Sequence, residues 1–372
     1  MSAAYFARYT PAEISWYFDP NIKPQAVGEG SNLALPKRLN ECINFSPRDF
    51  EGIGATIKTG IYKENWGKTG KSFLHDFPSP ATAVHFDAPK LQDFMHDKLK
   101  DYVNIIPENV DVSNIDADYV LDCSGRPKDY DEFEMSPYIP VNSVHVTQCD
   151  WDFPRFTHTL AIARPYGWVF GIPLQHRCSI GYMYNNNINT LEEVQEDVKV
   201  ILEQYNLTPN GNYNSFSFGN YRRKENFNGN IAYNGNASFF LEPLEATSFG
   251  CVDYINVTTM NYWFGGEDKE LVERRYQANI SANENIIMMH YAAGSNFNTD
   301  FWEFATERGV KCLENADPSM KFMMENSRAP KGLGSYYEEL PLTVKSIELD
   351  ALITAWWQGS FDQNMVGLGL RT

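Results

Sequence analysis

Metal-binding and dithiol spacings are missing from this sequence. Its six cysteines (Cys42, Cys123, Cys149, Cys178, Cys251, Cys312) form no Cys-x-x-Cys pair, and its seven histidines show no His-x-x-x-His or His-Glu-x-x-His spacing. A protein-ligated metal is therefore not expected, and the cysteines read as reduced, buried thiols. No apolar run approaches membrane-spanning length. Met1 to Arg8 has neither a basic start nor a long apolar core, so no signal peptide is expected and the location inferred is cytoplasmic. Basic residues are in deficit, with 31 Lys+Arg against 48 Asp+Glu and a net charge of −17. A field of that sign repels nucleic acid and anionic membrane surfaces, so neither is an expected partner.

What is abundant is aromatic. Phe, Trp and Tyr make up 14% of 372 residues, enough for large aromatic-walled cavities inside a substantial core. Ser2 to Ala7 reads as a small-residue helix and Glu13 to Phe18 as a strand. Val27-Gly28-Glu29-Gly30 reads as a tight turn before a helix from about Leu33 to Cys42. Tyr119 to Gly125 reads as a buried strand ending in a small-residue turn, suited to close backbone approach by a ligand. From Val141 to Tyr184 apolar and polar residues alternate as in strands. Thr190-Leu191-Glu192-Glu193 is a capping box opening a helix to about Tyr205, with Leu191, Val194, Val198, Ile201, Leu202 and Tyr205 on one face. The Asn-rich stretch from Asn206 to Asn230 reads as hairpins, and a strand and Gly235-Asn236-Ala237 turn follow. From about Asp268 the chain reads as helical, with a surface loop over Asn315 to Ser335. Strands and helices interleaved before Gly125, then a β block, then helices, indicate an α/β (α+β) fold with inserted modules.

Two segments could carry chemistry. Glu242-Pro243-Leu244-Glu245-Ala246-Thr247-Ser248 sets two carboxylates three residues apart before a small-residue turn. Such a turn can aim N–H groups at an anion beside Glu245 as proton acceptor. Lys58 lies in Ile53-Gly54-Ala55-Thr56-Ile57-Lys58-Thr59-Gly60-Ile61. A strand lysine is usually a solvated edge charge; a partly buried one is an amine able to hydrogen-bond or attack an electrophile. Taken alone, Glu245 reads as a solvated loop carboxylate and Trp168 as a core aromatic. His75, His176 and His290 read as structural.

These segments resemble the flavin-dependent halogenase family, of the tryptophan-halogenase-like kind. The loop at Glu242 to Ser248 is similar to the family's Glu-Pro-Leu-Glu-Ser/Ala-Thr-Gly, and Ala55 to Ile61 with Asn65-Trp66 to the segment bearing its essential lysine. Val27-Gly28-Glu29-Gly30 is similar to the Val-Gly-Glu-Ala/Gly loop near the flavin. His75-Asp76-Phe77, Ala117 to Gly125, Ile172 to Arg177, Gly181 to Tyr184, and His290-Tyr291 with Asp300-Phe301-Trp302 resemble further family elements. The matches run in order over most of the chain.

The resemblance implies a Rossmann-like FAD module of the flavin monooxygenase/halogenase type, with an inserted antiparallel sheet and a helical C-terminal part. By that mapping residues 1–135 and 226–265 form a discontinuous FAD module, 136–225 the substrate-side sheet and 266–372 a helical covering region. FAD (as FADH2) would meet Val27, Gly28, Glu29, Gly30, Asp122, Ser124, Gly125, Gly235 and Asn236. A halide ion would sit on the amides of Thr247 and Ser248. Trp168, Phe170, Ile172 and Pro173 would line the tunnel and substrate side. The implied activity is FADH2- and O2-dependent halogenation of an electron-rich aromatic small molecule, with hypohalous acid delivered to Lys58 and Glu245 assisting. A separate flavin reductase would supply FADH2, since no nicotinamide site is visible; a homo-oligomer is compatible.

Three departures qualify the mapping. Met1 falls on the Met of the family's Gly-x-Gly-x-x-Gly-Trp-Met, so the first strand and Gly-rich loop are expected to be missing and FAD binding weakened. Trp168-Val169-Phe170 has Phe where the family has a second Trp, and a flavin monooxygenase or oxidase on the same fold is the alternative enzyme. A truncated, non-catalytic flavoprotein is the alternative of another class. Ser248 replaces a Gly at the halide loop, which leans the expected halide toward bromide or iodide.

Overall fold

The alternating residues between 141 and 184 fold into the middle of a seven-stranded sheet. It is seen in a computed structural model that describes residues 1–22, 24, 29–326 and 346–371. In chain order its strands are β3 (Gly60–Glu64), β4 (Phe73–Asp76), β9 (Ser143–Asp150), β10 (Thr159–Arg164), β11 (Gly167–Pro173), β12 (Arg177–Tyr184) and β13 (Thr208–Ser217). In space they run β13-β9-β12-β11-β10-β3-β4. All neighbours are antiparallel except β10 and β3, which are parallel.

Both faces of the sheet are buried. Leu160, Ile162, Val169, Ile180 and Tyr182 face helix α4 (Leu191–Gln204), while Ala161, Trp168, Phe170, Ile172 and Met183 face the other way into the main core. That split follows from the two-residue side-chain period of a strand. The capping box at Thr190 and Glu193 opens α4 as expected, and Val194, Val198, Ile201 and Leu202 are its buried face. Each such side chain contributes roughly 1.5–3 kcal/mol by burial.

Four smaller sheets flank the large one. β1 (Ser15–Tyr17) pairs in parallel with β6 (Asn104–Ile106). β7 (Val120–Asp122) pairs in parallel with β16 (Ile231–Tyr233), which pairs with β15 (Phe227–Asn228). β2 (Thr56–Lys58) pairs with β5 (Ala83–His85). β14 (Tyr221–Arg223) lies between β17 (Phe239–Phe240) and β8 (Phe133–Met135). Helices α1 (Ser2–Tyr9), α2 (Ala34–Ile43) and α3 (Ala88–Leu99) share a core with the β2–β5 strands through Ala4, Leu39, Val84 and Met95. The C-terminal part is helical: α5 (Ser248–Phe264), α6 (Lys269–Ala293), α7 (Asp300–Glu314), α8 (Pro318–Asn326), α9 (Ile347–Ala355) and α10 (Gln358–Gly367).

Some expectations change. Residues 206–230 form hairpin structure only at their end, where β15 turns through Gly229-Asn230 into antiparallel β16; β13 instead folds back along β9 as an edge strand, with a bulge between Pro209 and Tyr213. Asn315 to Ser335 is not simply a surface loop, because α8 buries Met320 and Met323, one helical turn apart; residues 327–335 lie outside the described residues. β3 and β4, expected in the FAD module, add to the large sheet. The strand at Val120 is only half-buried beyond its first residue.

Candidate active site

Lys58 ends β2, the last residue before the chain crosses at Thr59 from the small β2–β5 sheet into the large one. That crossing turns the side chain inward. Lys58 is fully buried, its Nζ donates to the Ser31 carbonyl at 2.9 Å, and it lies 5.6 Å from the Phe77 ring centroid. An ammonium has three donors; among the described residues Ser31 is its one hydrogen-bond acceptor. Burial lowers the amine to about 7, opposed by Glu245 and reinforced by Lys63.

Glu245 is reached through an unusual turn. Glu245 (φ 71°) and Ala246 (φ 53°) both take left-handed backbone, which disfavours side-chain-bearing residues by roughly 1–2 kcal/mol each. The reversal drives the carboxylate into the core and starts α5 at Ser248. Oε1 pairs with Lys63 and lies 3.4 Å from His290 Nε2; Oε2 lies 2.8 Å from His75 Nδ1 and accepts from Trp356 Nε1 at 3.2 Å. Burial alone would raise this carboxyl, but Lys63 and His75 hold it well below the usual carboxylate range. His75 and His290, read from the sequence as structural, are both hydrogen-bonded and lie against the Glu245 carboxylate. His176 has no side-chain role here.

A cavity of about 30 Å³ is lined by Gly30, Lys58, Trp168, Phe170, Ile172 and Glu245 among others. A water needs roughly 10–15 Å³ by this measure. The space takes about two waters or one small oxidant, and no aromatic ring. Trp168, Phe170 and Ile172 alternate along the inner face of β11. Pro173 does not line the cavity; its carbonyl accepts from Thr56 Oγ1 at 2.5 Å. Phe170 packs on Gly181, where a Cβ would lie 2.0 Å from the ring. A larger indole in place of Phe170 would press on this contact.

Behind Trp168 is the other carboxylate of the loop. Glu242 is fully buried; its Oε2 accepts from Trp168 Nε1 at 2.8 Å and from Tyr291 OH at 3.0 Å. Burial pushes it up to about 8, against those two donors. Thr247, at the start of α5, is buried, and its Oγ1 has no hydrogen-bond partner among the described residues. The first amides of a helix have no partner within it and carry partial positive charge. With the amides of Thr247 and Ser248, this hydroxyl suits a small anion.

The expected FAD contacts fall into three groups. Val27 and Gly28 lie outside the described residues. Gly30 bridges to His85, near Lys58, while the Glu29 side chain turns away to bind Arg177 Nη2 at 2.6 Å and the Ala88 N–H at 3.0 Å. Asp122 and Tyr233 pair across β7 and β16, so the turns that follow, Asp122-Cys123-Ser124-Gly125 and Gly235-Asn236, lie side by side. Gly125 (φ 100°) and Gly235 (φ 56°) have open space where a Cβ would point. Two neighbouring turns of bare backbone at the ends of parallel strands fit a dinucleotide. The unpartnered Thr247 hydroxyl fits a halide.

Sequence reasoning missed Lys63, Trp356, Ser360, Asn364 and His85. Lys63 sits five positions after Lys58, but the break at Thr59-Gly60 hides the fact that both point inward. The others come from distant elements with no local signal.

The match to the "Tryptophan halogenase" family covers residues 81–327. The chain is 26% identical over 279 residues to tryptophan 6-halogenase ThaL of Streptomyces albogriseolus, covering 69% of this chain and 49% of that protein. It is 22% identical over 342 residues to tryptophan 6-halogenase SttH of Streptomyces toxytricini, covering 82% and 62%. The chain thus spans about half to three-fifths of these relatives. Among solved structures, the fold matches MibH, a lathipeptide tryptophan 5-halogenase, with TM-score 0.76 at 14% identity over 100% of this chain and 83% of that one. It matches BrvH, a flavin-dependent halogenase from Brevundimonas sp. BAL3, with TM-score 0.70 at 18% identity over 95% and 86%. With two-thirds of its length inside the family match and the family's architecture throughout, the chain belongs to the flavin-dependent tryptophan halogenase family.

Proposed function

We propose that this protein halogenates an electron-rich aromatic small molecule, with Lys58 handling the halogen and Glu245 assisting. The observation carrying the reading is that one small cavity is lined by Lys58, whose buried amine has one acceptor among the described residues, and by Glu245, whose carboxylate is locked by Lys63 behind the wall. Bound FAD, once reduced, supplies with O2 the oxidation of halide to hypohalous acid. Gly30, Asp122, Ser124, Gly125, Gly235 and Asn236 would hold it, and Thr247 and Ser248 the halide.

The chain's own residues do the rest. Trp168, Phe170 and Ile172 exclude bulk water and confine a small oxidant. Lys58, with few hydrogen bonds and an amine lowered to about 7, is neutral often enough at physiological pH to accept or orient electrophilic halogen. Glu245, held ionised by Lys63 and His75, assists by its charge, polarising the halogen at Lys58, and the proton the ring loses leaves with the hypohalite oxygen as water. Overall, hypohalous acid and an aromatic C–H become an aryl halide and water. A separate reductase supplies reduced flavin. Ser248 narrows the anion site and favours bromide or iodide, which are less costly to desolvate than chloride.

The test is mass spectrometry of phenols and indoles incubated with reductase, FAD, O2 and each halide in turn. Halogenated product is expected, dependent on Lys58 and Glu245. Lys58→Ala or Glu245→Gln should lower the rate by roughly 10²–10⁴-fold. Hydroxylated product alone would replace this reading with monooxygenase chemistry, and exclusive chlorination would remove the halide preference.

A further inference from the structure

The second buried lysine is the strongest unassigned feature. Lys63 is fully buried on β3. Its Nζ meets three acceptors: Glu245 Oε1, Asn364 Oδ1 of α10, and His290 Nε2 at 2.6 Å on α6. Three donors and three acceptors match. His290 Nδ1 lies 2.9 Å from the Ile286 carbonyl, which needs a proton on Nδ1 and leaves Nε2 to accept from Lys63. Asn364 Nδ2 donates to the Ser360 carbonyl at 2.9 Å, which aims its oxygen at Lys63. Burial lowers the Lys63 amine and Glu245 opposes that shift; the three acceptors suit an ammonium beside a neutral histidine. Lys58 differs: it faces the cavity with one acceptor.

Building on the halogen-transfer reading of this site, we propose that Lys63 is its positioning residue, locking the Glu245 carboxylate and setting a second cation within electrostatic reach of the Lys58 amine. Asn364 ties α10 into this arrangement. Ser360 Oγ at 2.7 Å from His75 Nε2 and Gln363 Oε1 at 2.6 Å from the Asp76 N–H tie the same helix to β4. The charged and titratable groups around the two amines are Glu245, His75, His290 and Lys58 for Lys63, and Glu245, Lys63, His75 and His85 for Lys58. Lys63 opposes, and Glu245 favours, protonation of Lys58.

The test follows the Lys58 amine without turnover. Protein labelled with ¹³C at lysine Cε is titrated by NMR, with Lys58 assigned by the signal missing from Lys58→Met. The wild-type midpoint is expected near 7. Lys63→Met should move it up by about one unit or more, because a like charge is lost and Glu245 is left facing Lys58 alone. Glu245→Gln should move it down. Lys63→Met/Glu245→Gln, which strands no charge, should return it close to the wild-type value. A Lys58 midpoint unchanged in Lys63→Met overturns the proposal. Where Lys63→Met does not fold, an unchanged or raised midpoint in Glu245→Gln overturns it instead. Because no halogenation is measured, these outcomes are independent of whether the proposed activity holds.

Discussion

Replacing Lys58 by Met should stabilise the protein while abolishing its chemistry. Lys58 is fully buried, and its amine falls from 10.5 to about 7. At about 1.36 kcal/mol per unit, keeping this group in the fold is unfavourable by about 3–5 kcal/mol at pH 7. The sign runs as expected for a depressed lysine. Below pH 7 the destabilisation is full, because folding must bury the ammonium or strip its proton. Between about 7 and 10.5 the unfolded lysine holds a proton that the folded one has lost, so stability rises with pH. At higher pH the effect vanishes. Methionine keeps the stem and much of the packing but leaves the Ser31 carbonyl without its donor, a loss of about 1 kcal/mol. The net expectation is a gain of roughly 2–4 kcal/mol at pH 7 that shrinks to about 1 kcal/mol at pH 9. Urea unfolding of wild type and Lys58→Met at both pH values measures it. A variant no more stable than wild type at pH 7, or a gain that does not shrink at pH 9, would refute the reasoning.

Glu242→Gln should also stabilise: the buried carboxyl titrates near 8, so folding retains a proton that the unfolded chain releases above about 4.5, and wild-type stability falls as pH rises from 4.5 to 8. Calorimetry at pH 5 and pH 8 should show a gain of about 3 kcal/mol confined to the higher pH. Glu245→Ala strands Lys63 in the core and should destabilise by about 3–5 kcal/mol, read by denaturant midpoint. Thr247→Val removes an unpartnered hydroxyl and should leave stability within about 1 kcal/mol while raising the halide concentration needed for half-maximal rate. Phe170→Trp presses on Gly181 and should destabilise by about 1–3 kcal/mol, checked by thermal unfolding.

Much of the fold could be read locally. The α4 capping box and the two-residue alternation of β9 to β12 announce themselves because local spacing determines which side is buried. β13 and α8 did not, since their partners lie in distant sequence: β13 is held by β9, and α8 by burial of Met320 and Met323. The site divides in the same way. Lys58, Glu245 and Trp168 read locally as two solvated charges and a core aromatic; the family resemblance singled them out with Phe170 and Ile172, and all five line one cavity. Lys63, His75, His290 and Asn364 acquire meaning only once β3, β4, α6 and α10 converge on Glu245. Periodicity does not report that a buried lysine has found three acceptors. Glu29 was legible as part of a flavin-side loop, but its ion pair with Arg177 depends on a strand far along the chain.

The central claim is that Lys58 and Glu245 share one halogen-transfer cavity. Its most direct measurement is high-resolution mass spectrometry of an electron-rich phenol or indole treated with reductase, FAD, O2 and bromide, using wild type and Lys58→Ala in parallel. A monobrominated product is expected from wild type, lost in Lys58→Ala. Equal bromination by both proteins, or an oxygenated product without bromine, would contradict it.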